Sequence, residues 1–295
     1  MKSFFSVPWS GGRASRKKIV HARGVFKTPL LLLGLLMVVQ NACFEPQSGC
    51  LDIAATNFNA SADKNCCCRY PNLVLSVDQV YDTLVYRQDE LYPGTGGHLF
   101  RIKSLAFYLS EFTLIKDGLP FVMEDSVALK TYGPTGNDTL VQPFIDDVVL
   151  VRRTPLDYPI ATFGEAGFFE KITCRLGLGP GMAQAIPGLA PVNHPLRLQP
   201  ENLFNTEYVF LQAVVVRDSM AGTQPDTLRF TRADLGDFFL EGNGVFEHKT
   251  GYNFPIKMRA DWSILFQGIN WTTHDIQAWK TQIVANLPSV FHITP

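Results

Sequence analysis

From Asn72 onward the chain alternates short apolar runs with clusters of Gly, Pro, Asn and Asp. Apolar residues at every second position, or unbroken over about four to eight residues between such clusters, signal strands. Asn72–Tyr81 opens the series, and Leu99–Lys116 is its longest member, closed by Asp117-Gly118. Val148–Arg152, Phe168–Leu176, Tyr208–Val216, Thr227–Thr231, Tyr252–Met258 and Asp261–Phe266 follow. In the long segment, period two sets Ile102, Ser104, Ala106 and Tyr108 on one face, with Lys103, Leu105 and Phe107 on the other. Gly242-Asn243-Gly244 reads as a turn, with His248 just beyond it, and Gly177–Pro200 as a long loop of the kind that often carries function. The period changes to a helical one only near the end. Between His274 and Leu287, Ile276, Trp279, Ile283 and Leu287 share one stripe; Thr272 and Asp275 suit its start and Pro288 its stop. These patterns predict an all-β fold, an antiparallel β-sandwich with one C-terminal helix, as a single domain over residues 72–295.

The first 42 residues follow another pattern. Seven Lys or Arg and no Asp or Glu precede Cys43, and the apolar run Leu30–Val39 follows the basic stretch directly. That run is shorter than the roughly 20 apolar residues a spanning helix needs. Basic segment, short apolar run and a small residue before a break form a signal-peptide pattern. Ala42-Cys43 resembles a loose bacterial lipobox, with Gln40 where Leu is usual. Residues 1–42 are therefore expected to be a signal peptide and Cys43 the lipidated residue, anchoring an exported protein to a bacterial membrane, in the periplasm or at the cell surface.

Composition narrows the class. Hydrophobic residues make up 46% of the chain and charged residues 18%, which excludes a disordered tail and a coiled coil. Beyond residue 42, 19 basic residues face 27 acidic ones, a net of −8. A body this acidic has no footprint for nucleic acid, and no such partner is expected.

Cys50, Cys66, Cys67 and Cys68 cluster in residues 43–71, a Cys-rich segment between the anchor and the sandwich. In an exported protein clustered Cys reads first as a disulfide staple. Neighbouring Cys residues do not readily pair with each other, so Cys50 is expected to bridge to Cys66, Cys67 or Cys68. The closed loop of about 17 residues contributes on the order of 3 kcal/mol. Two other chemistries suit the block: consecutive thiolates for Cu(I) or Zn, and oxygens of Asp52, Asn57, Asn59 and Asp63 for Ca²⁺. Cys174 lies apart, in a strand.

The sequence holds no Gly-rich phosphate loop, no Gly-x-Ser-x-Gly elbow, no His-Glu-x-x-His and no Cys-x-x-Cys. Asp146-Asp147 reads as a turn before a strand, and the chain is not expected to be an enzyme. Of the six His, His194 in Asn193-His-Pro-Leu196 and His248 in Phe246-Glu-His-Lys249 are the candidate metal ligands. With thioethers at Met182, Met220 and Met258 they offer donors that suit copper.

Four stretches carry a family resemblance. Arg101–Gly118 resembles the signature of the MbnP-like domain, a strand ending in Tyr-x-Ser-x-Phe/Ile-x-Leu before a Gly turn. Phe169–Gly177, Tyr208–Gln212, and Asp261–Asn270 with Ile283–Phe291 are similar to its later strands and terminal helix. The resemblance spans roughly residues 72–293. Gly49-Cys50-Leu-Asp52-Ile-Ala-Ala55-Thr-Asn57-Phe58-Asn59 is similar to a motif near the start of many exported proteins of Bacteroidetes type. The resemblance implies an exported, β-rich copper handler, with His194 as first candidate ligand and a dihaem peroxidase-like protein as partner. In that family a Trp oxidised to kynurenine often lies in Gly-Met-x-Trp-x-Trp; this chain has Glu201–Glu207 there, without Trp, and Trp271 with His274 matches it in spacing alone. The contrasting expectation is a surface interaction or scaffold module that keeps the fold without the metal.

Overall fold

The computed structural model describes residues 45–133, 138–197, 203–204, 207–218, 220 and 222–295. Two compact units are distinguished, Met1–Pro46 and Gln47–Pro295. The expected signal peptide and Cys43 lie outside the described residues.

The strands of the second unit are β1 (Ser48–Gly49), β2 (Lys64–Asn65), β3 (Asn72–Tyr81), β4 (Leu84–Val85), β5 (Leu91–Pro93), β6 (Leu99–Lys116), β7 (Leu119–Val122), β8 (Ser126–Tyr132), β9 (Thr139–Ile145), β10 (Val149–Val151), β11 (Asp157–Thr162), β12 (Gly167–Leu176), β13 (Leu203–Phe204), β14 (Glu207–Tyr208), β15 (Leu211–Val216), β16 (Asp226–Phe230), β17 (Phe239–His248), β18 (Phe254–Asp261) and β19 (Phe291–Thr294). Among the described residues three α-helices join them, α1 (Arg232–Leu235), α2 (Trp262–Leu265) and α3 (Ile276–Asn286). The all-β expectation holds.

The larger sheet runs β16-β15-β6-β12-β17, with β5, β7 and β10 also paired to β6. At about 3.4 Å per residue β6 is roughly 60 Å long, which is how one strand can serve so many partners. The smaller sheet runs β11-β3-β18-β19, with β4 on β3. Its central pair, β3 with β18, is parallel, from Phe254 opposite Leu73 to Asp261 opposite Val80. The expected sandwich is thus antiparallel except at this pair. Between the sheets, Trp262 packs edge-on to Phe107 and Phe291 at 5.9 and 6.0 Å. Each buried aromatic removes about 150–250 Å² from water, on the order of 4–6 kcal/mol before entropy is charged against it.

Four local readings are corrected. Strict alternation in β6 breaks at Lys103: β15 shifts register so that Val214 faces Ser104 and Val215 faces Ile102, while Lys103 reaches Asp89 Oδ1 at 2.6 Å. Trp262–Leu265 is helix, not strand, because the Asp261 carboxylate accepts from Ser263 N at 3.0 Å and caps a turn there. The cap of α3 is Asp275, accepting from Ala278 N at 3.0 Å, whereas the Thr272 hydroxyl donates to Asn270 Oδ1 at 2.6 Å. Gly242-Asn243-Gly244 is no turn but lies inside β17. A Cβ on Gly242 would come within 2.7 Å of Ile293 Cβ, so glycine lets the two sheets meet there.

The Cys-rich segment folds onto itself. Cys50 and Cys68, 18 residues apart, form the disulfide, one of the three pairings expected for Cys50. The oxygens considered for Ca²⁺ serve the segment's own donors. Asp52 Oδ1 accepts from Ala54 N, Asn57 Oδ1 from Arg69 N, Asn59 Oδ1 from Ser61 N and Asp63 Oδ2 from Gln47 N, all at 2.8–3.0 Å.

Candidate functional site

The disulfide leaves Cys66 and Cys67 as free thiols in the same segment, Cys66 half-buried and Cys67 exposed. The backbone fixes both. Cys66 N donates to Gly49 O at 2.9 Å, and Cys67 O accepts from Asn57 Nδ2 at 2.8 Å. Cys67 has φ +59, a left-handed conformation uncommon outside glycine and a few polar residues. The result is two sulfurs 2.8 Å apart, open to solvent. The Cys67 thiol beside it is the main reason that the Cys66 thiol titrates above the ordinary thiol range. A metal that enters must displace those protons. Two adjacent thiolates are a soft donor set, the kind that selects Cu(I).

The imidazoles proposed from the sequence sit elsewhere and apart. His194 is buried in the long loop, where its Nδ1 accepts from Leu196 N at 3.1 Å and its Nε2 donates to Asp146 Oδ1 at 3.1 Å. Both nitrogens are committed, and the ring staples the loop to the turn before β10. Tyr108 and Tyr208 pin the same loop through the carbonyls of Pro195 and Leu196 at 2.8 and 3.1 Å. His248, at the end of β17, is stacked on Phe254 with centroids 5.0 Å apart. Its Nδ1 and Nε2 meet the carbonyl oxygens of Glu165 and Tyr252 at 2.6 and 2.9 Å. A carbonyl only accepts, so neither nitrogen turns a lone pair outward. His194 and His248 have no hydrogen-bond partner in common, and the structure does not bring them together. The thioethers are equally scattered: Met258 is fully buried, Met182 is buried and Met220 is exposed.

His274 is placed differently. Asp226 Oδ1 accepts from its Nε2 at 2.8 Å, which fixes the proton on Nε2 and leaves Nδ1 as the nitrogen with a lone pair. The ring is half-exposed and lies edge-on to Trp279 at 5.7 Å, while Trp271 packs tilted against Trp279 at 5.0 Å. Trp271 and His274 thus share Trp279 as a neighbour. The Asp146 and Asp226 partners were missed in the sequence because each lies 48 residues from its imidazole. Among the described residues, no group of three or more His, Cys, Asp and Glu is placed to hold a metal ion. No helix among them is long and apolar enough to cross a membrane.

No family model matches this chain, and no curated protein matches it. Among solved structures it is similar to MbnP from Methylosinus trichosporium. The identity is 14%, the match covers 66% of this chain and 76% of that one, and the TM-score is 0.39. The likeness is distant and concerns the course of the fold.

Proposed function

We infer that this chain is an exported, lipid-anchored β-sandwich that captures Cu(I) through Cys66 and Cys67. The observation that carries this reading is the pair of adjacent free thiols, Cys66 and the exposed Cys67, beside the Cys50–Cys68 bridge. The disulfide holds Cys68 next to the pair, so the pair is presented on a fixed loop. Zinc–thiolate bonds of about 2.3 Å would set two sulfurs up to roughly 4.6 Å apart, and a soft ion of similar size requires the exposed Cys67 side chain to swing outward. His194 and His248 then act as structural staples. The motif resemblance of Arg101–Gly118 supports copper as the cargo, and the basic leader with Ala42-Cys43 supports export and anchoring. The role is capture and transfer, not catalysis.

The test loads the purified chain with Cu(I), desalts it and measures copper per chain by elemental analysis, with Cys66→Ser/Cys67→Ser and His194→Ala/His248→Ala alongside. About one copper in the wild type and in the His variant, lost in the Cys variant, is expected. Copper that survives loss of both thiols overturns the assignment. Absence of copper throughout favours an interaction module, for which the β8–β9 hairpin leaves Tyr132 and Val141 exposed on one face.

A further inference from the structure

A second feature, independent of the thiols, lies where β6 bulges against β12. Thr173 faces Thr113 and Arg175 faces Ser110, so Glu111 and Phe112 together oppose Cys174. Glu111 has φ +54, a left-handed conformation that strains a non-glycine residue and survives only where neighbours impose it. Two neighbours do so. Buried Arg175 donates from Nε to Glu111 Oε2 at 2.6 Å, and its Nη1 reaches Asp237 Oδ1 at 2.6 Å. Asp147, only 4% exposed, accepts from Phe112 N at 2.7 Å.

The charges do not balance. Arg175 answers Glu111 and Asp237, but Asp147 has no cationic partner among the described residues. Holding the bulge needs an acceptor, which a neutral Asn supplies without placing a carboxylate out of water. Asp147 also borders a cavity of about 280 Å³, walled by Phe112, Val122, Phe144 and Met182. Ser110, Glu111 and Thr113 line it as well, but Glu111 is held by Arg175, so the unbalanced Asp147 carboxylate beside an apolar wall is a recognition element for a ligand that is apolar with one positive end. The aromatic ring of Phe144 adds a face to which a cation is attracted. At about 280 Å³ the cavity lies at the small end of ligand pockets, which start at about 300 Å³, and so suits a small ligand.

We propose that this pocket binds a small organic ammonium ion carrying an aromatic or branched apolar group, with the ammonium against Asp147 and the apolar part between Phe144, Met182 and Val122. Glu111 stays with Arg175 and shapes the rim. The site is separate from Cys66 and Cys67 and stands whether or not those thiols hold copper.

The probe is 2-phenylethylammonium, with 2-phenylethanol and phenylacetate as neutral and anionic counterparts, titrated calorimetrically into the purified chain at neutral pH. A charge-assisted contact favours the ammonium over the alcohol by roughly ten- to a hundredfold, with no binding of phenylacetate. Asp147→Asn keeps an acceptor for Phe112 N and is expected to bring ammonium and alcohol within about threefold of each other. Val122→Trp, on the half-exposed edge strand β7, fills the mouth without touching Asp147 and is expected to weaken both by at least about tenfold. It keeps the proposal testable if Asp147→Asn fails to fold. Absence of ammonium binding, a cation preference that outlasts Asp147→Asn, or affinities unmoved by Val122→Trp would each overturn it.

Discussion

Replacing Asp147 by Asn tests how the bulge site is built, through stability alone. Burial pushes the Asp147 carboxyl up from 3.8 to about 6, against the bonds from Phe112 and Glu111 that favour the charged form. The groups facing it are Glu111 on β6, whose charge adds to the rise, and the Cys174 thiol on β12. A carboxyl whose folded value is raised binds its proton more tightly in the folded state. Its ionisation therefore destabilises the fold progressively as pH rises from about 4 through about 6, and the loss is complete above that. The difference of about two units corresponds to on the order of 3 kcal/mol. Asn is neutral throughout and retains an oxygen for Phe112 N. Urea unfolding of both proteins at pH 4, 5, 6 and 7 should show the variant gaining on the wild type by up to about 3 kcal/mol across that range. Comparing the two proteins at each pH cancels the carboxylates that do not interact with Asp147. A difference that stays flat, or that runs the other way, would refute the reasoning that burial dominates at this carboxylate.

Other outcomes follow from the same geometry. Cys50→Ser/Cys68→Ser should lose about 3 kcal/mol in denaturant unfolding, the entropy of freeing an 18-residue separation. His194→Ala strands Asp146 and the Leu196 N–H and should cost about 1–3 kcal/mol in the same assay while leaving copper stoichiometry unchanged. Gly177→Ala should unfold the domain or cost more than about 3 kcal/mol by calorimetry, because Gly177 has φ +108 and a Cβ there would collide with the Phe210 ring. Copper retention at the thiol pair should strengthen from pH 6 to pH 8, measured by competition with a Cu(I) chelator, since the raised Cys66 thiol must lose its proton to bind.

Much of the fold could be read from the chain. Asn72–Tyr81 and Leu99–Lys116 coincide with β3 and β6 because both are bounded by turn residues and buried along most of their length. Asp261–Phe266 misled, since a short apolar run is the same signal for a buried strand and a buried helical turn, and only the Asp261 side chain decides between them. The β8–β9 hairpin went unread, its apolar residues alternating too weakly around the exposed Lys130 and Val141. The site was less legible. Spacing limited Cys50 to three partners and could not choose Cys68, which depends on how Asn57 and Asn65 fold the loop back. His194 and His248 read as candidate ligands from residue type alone, and the Asp146 and Glu165 groups that meet their rings lie 48 and 83 residues away. Asp147 read as a turn residue because nothing local marks a carboxylate that a distant strand will bury.

On the function proposed above, sulfur rather than imidazole holds Cu(I). X-ray absorption at the copper edge of the Cu(I)-loaded chain reads the ligand atoms directly. The expected spectrum is a low-coordinate Cu(I) centre with a sulfur-only shell, abolished by Cys66→Ser/Cys67→Ser. A shell of imidazole nitrogen that persists in that variant would contradict it.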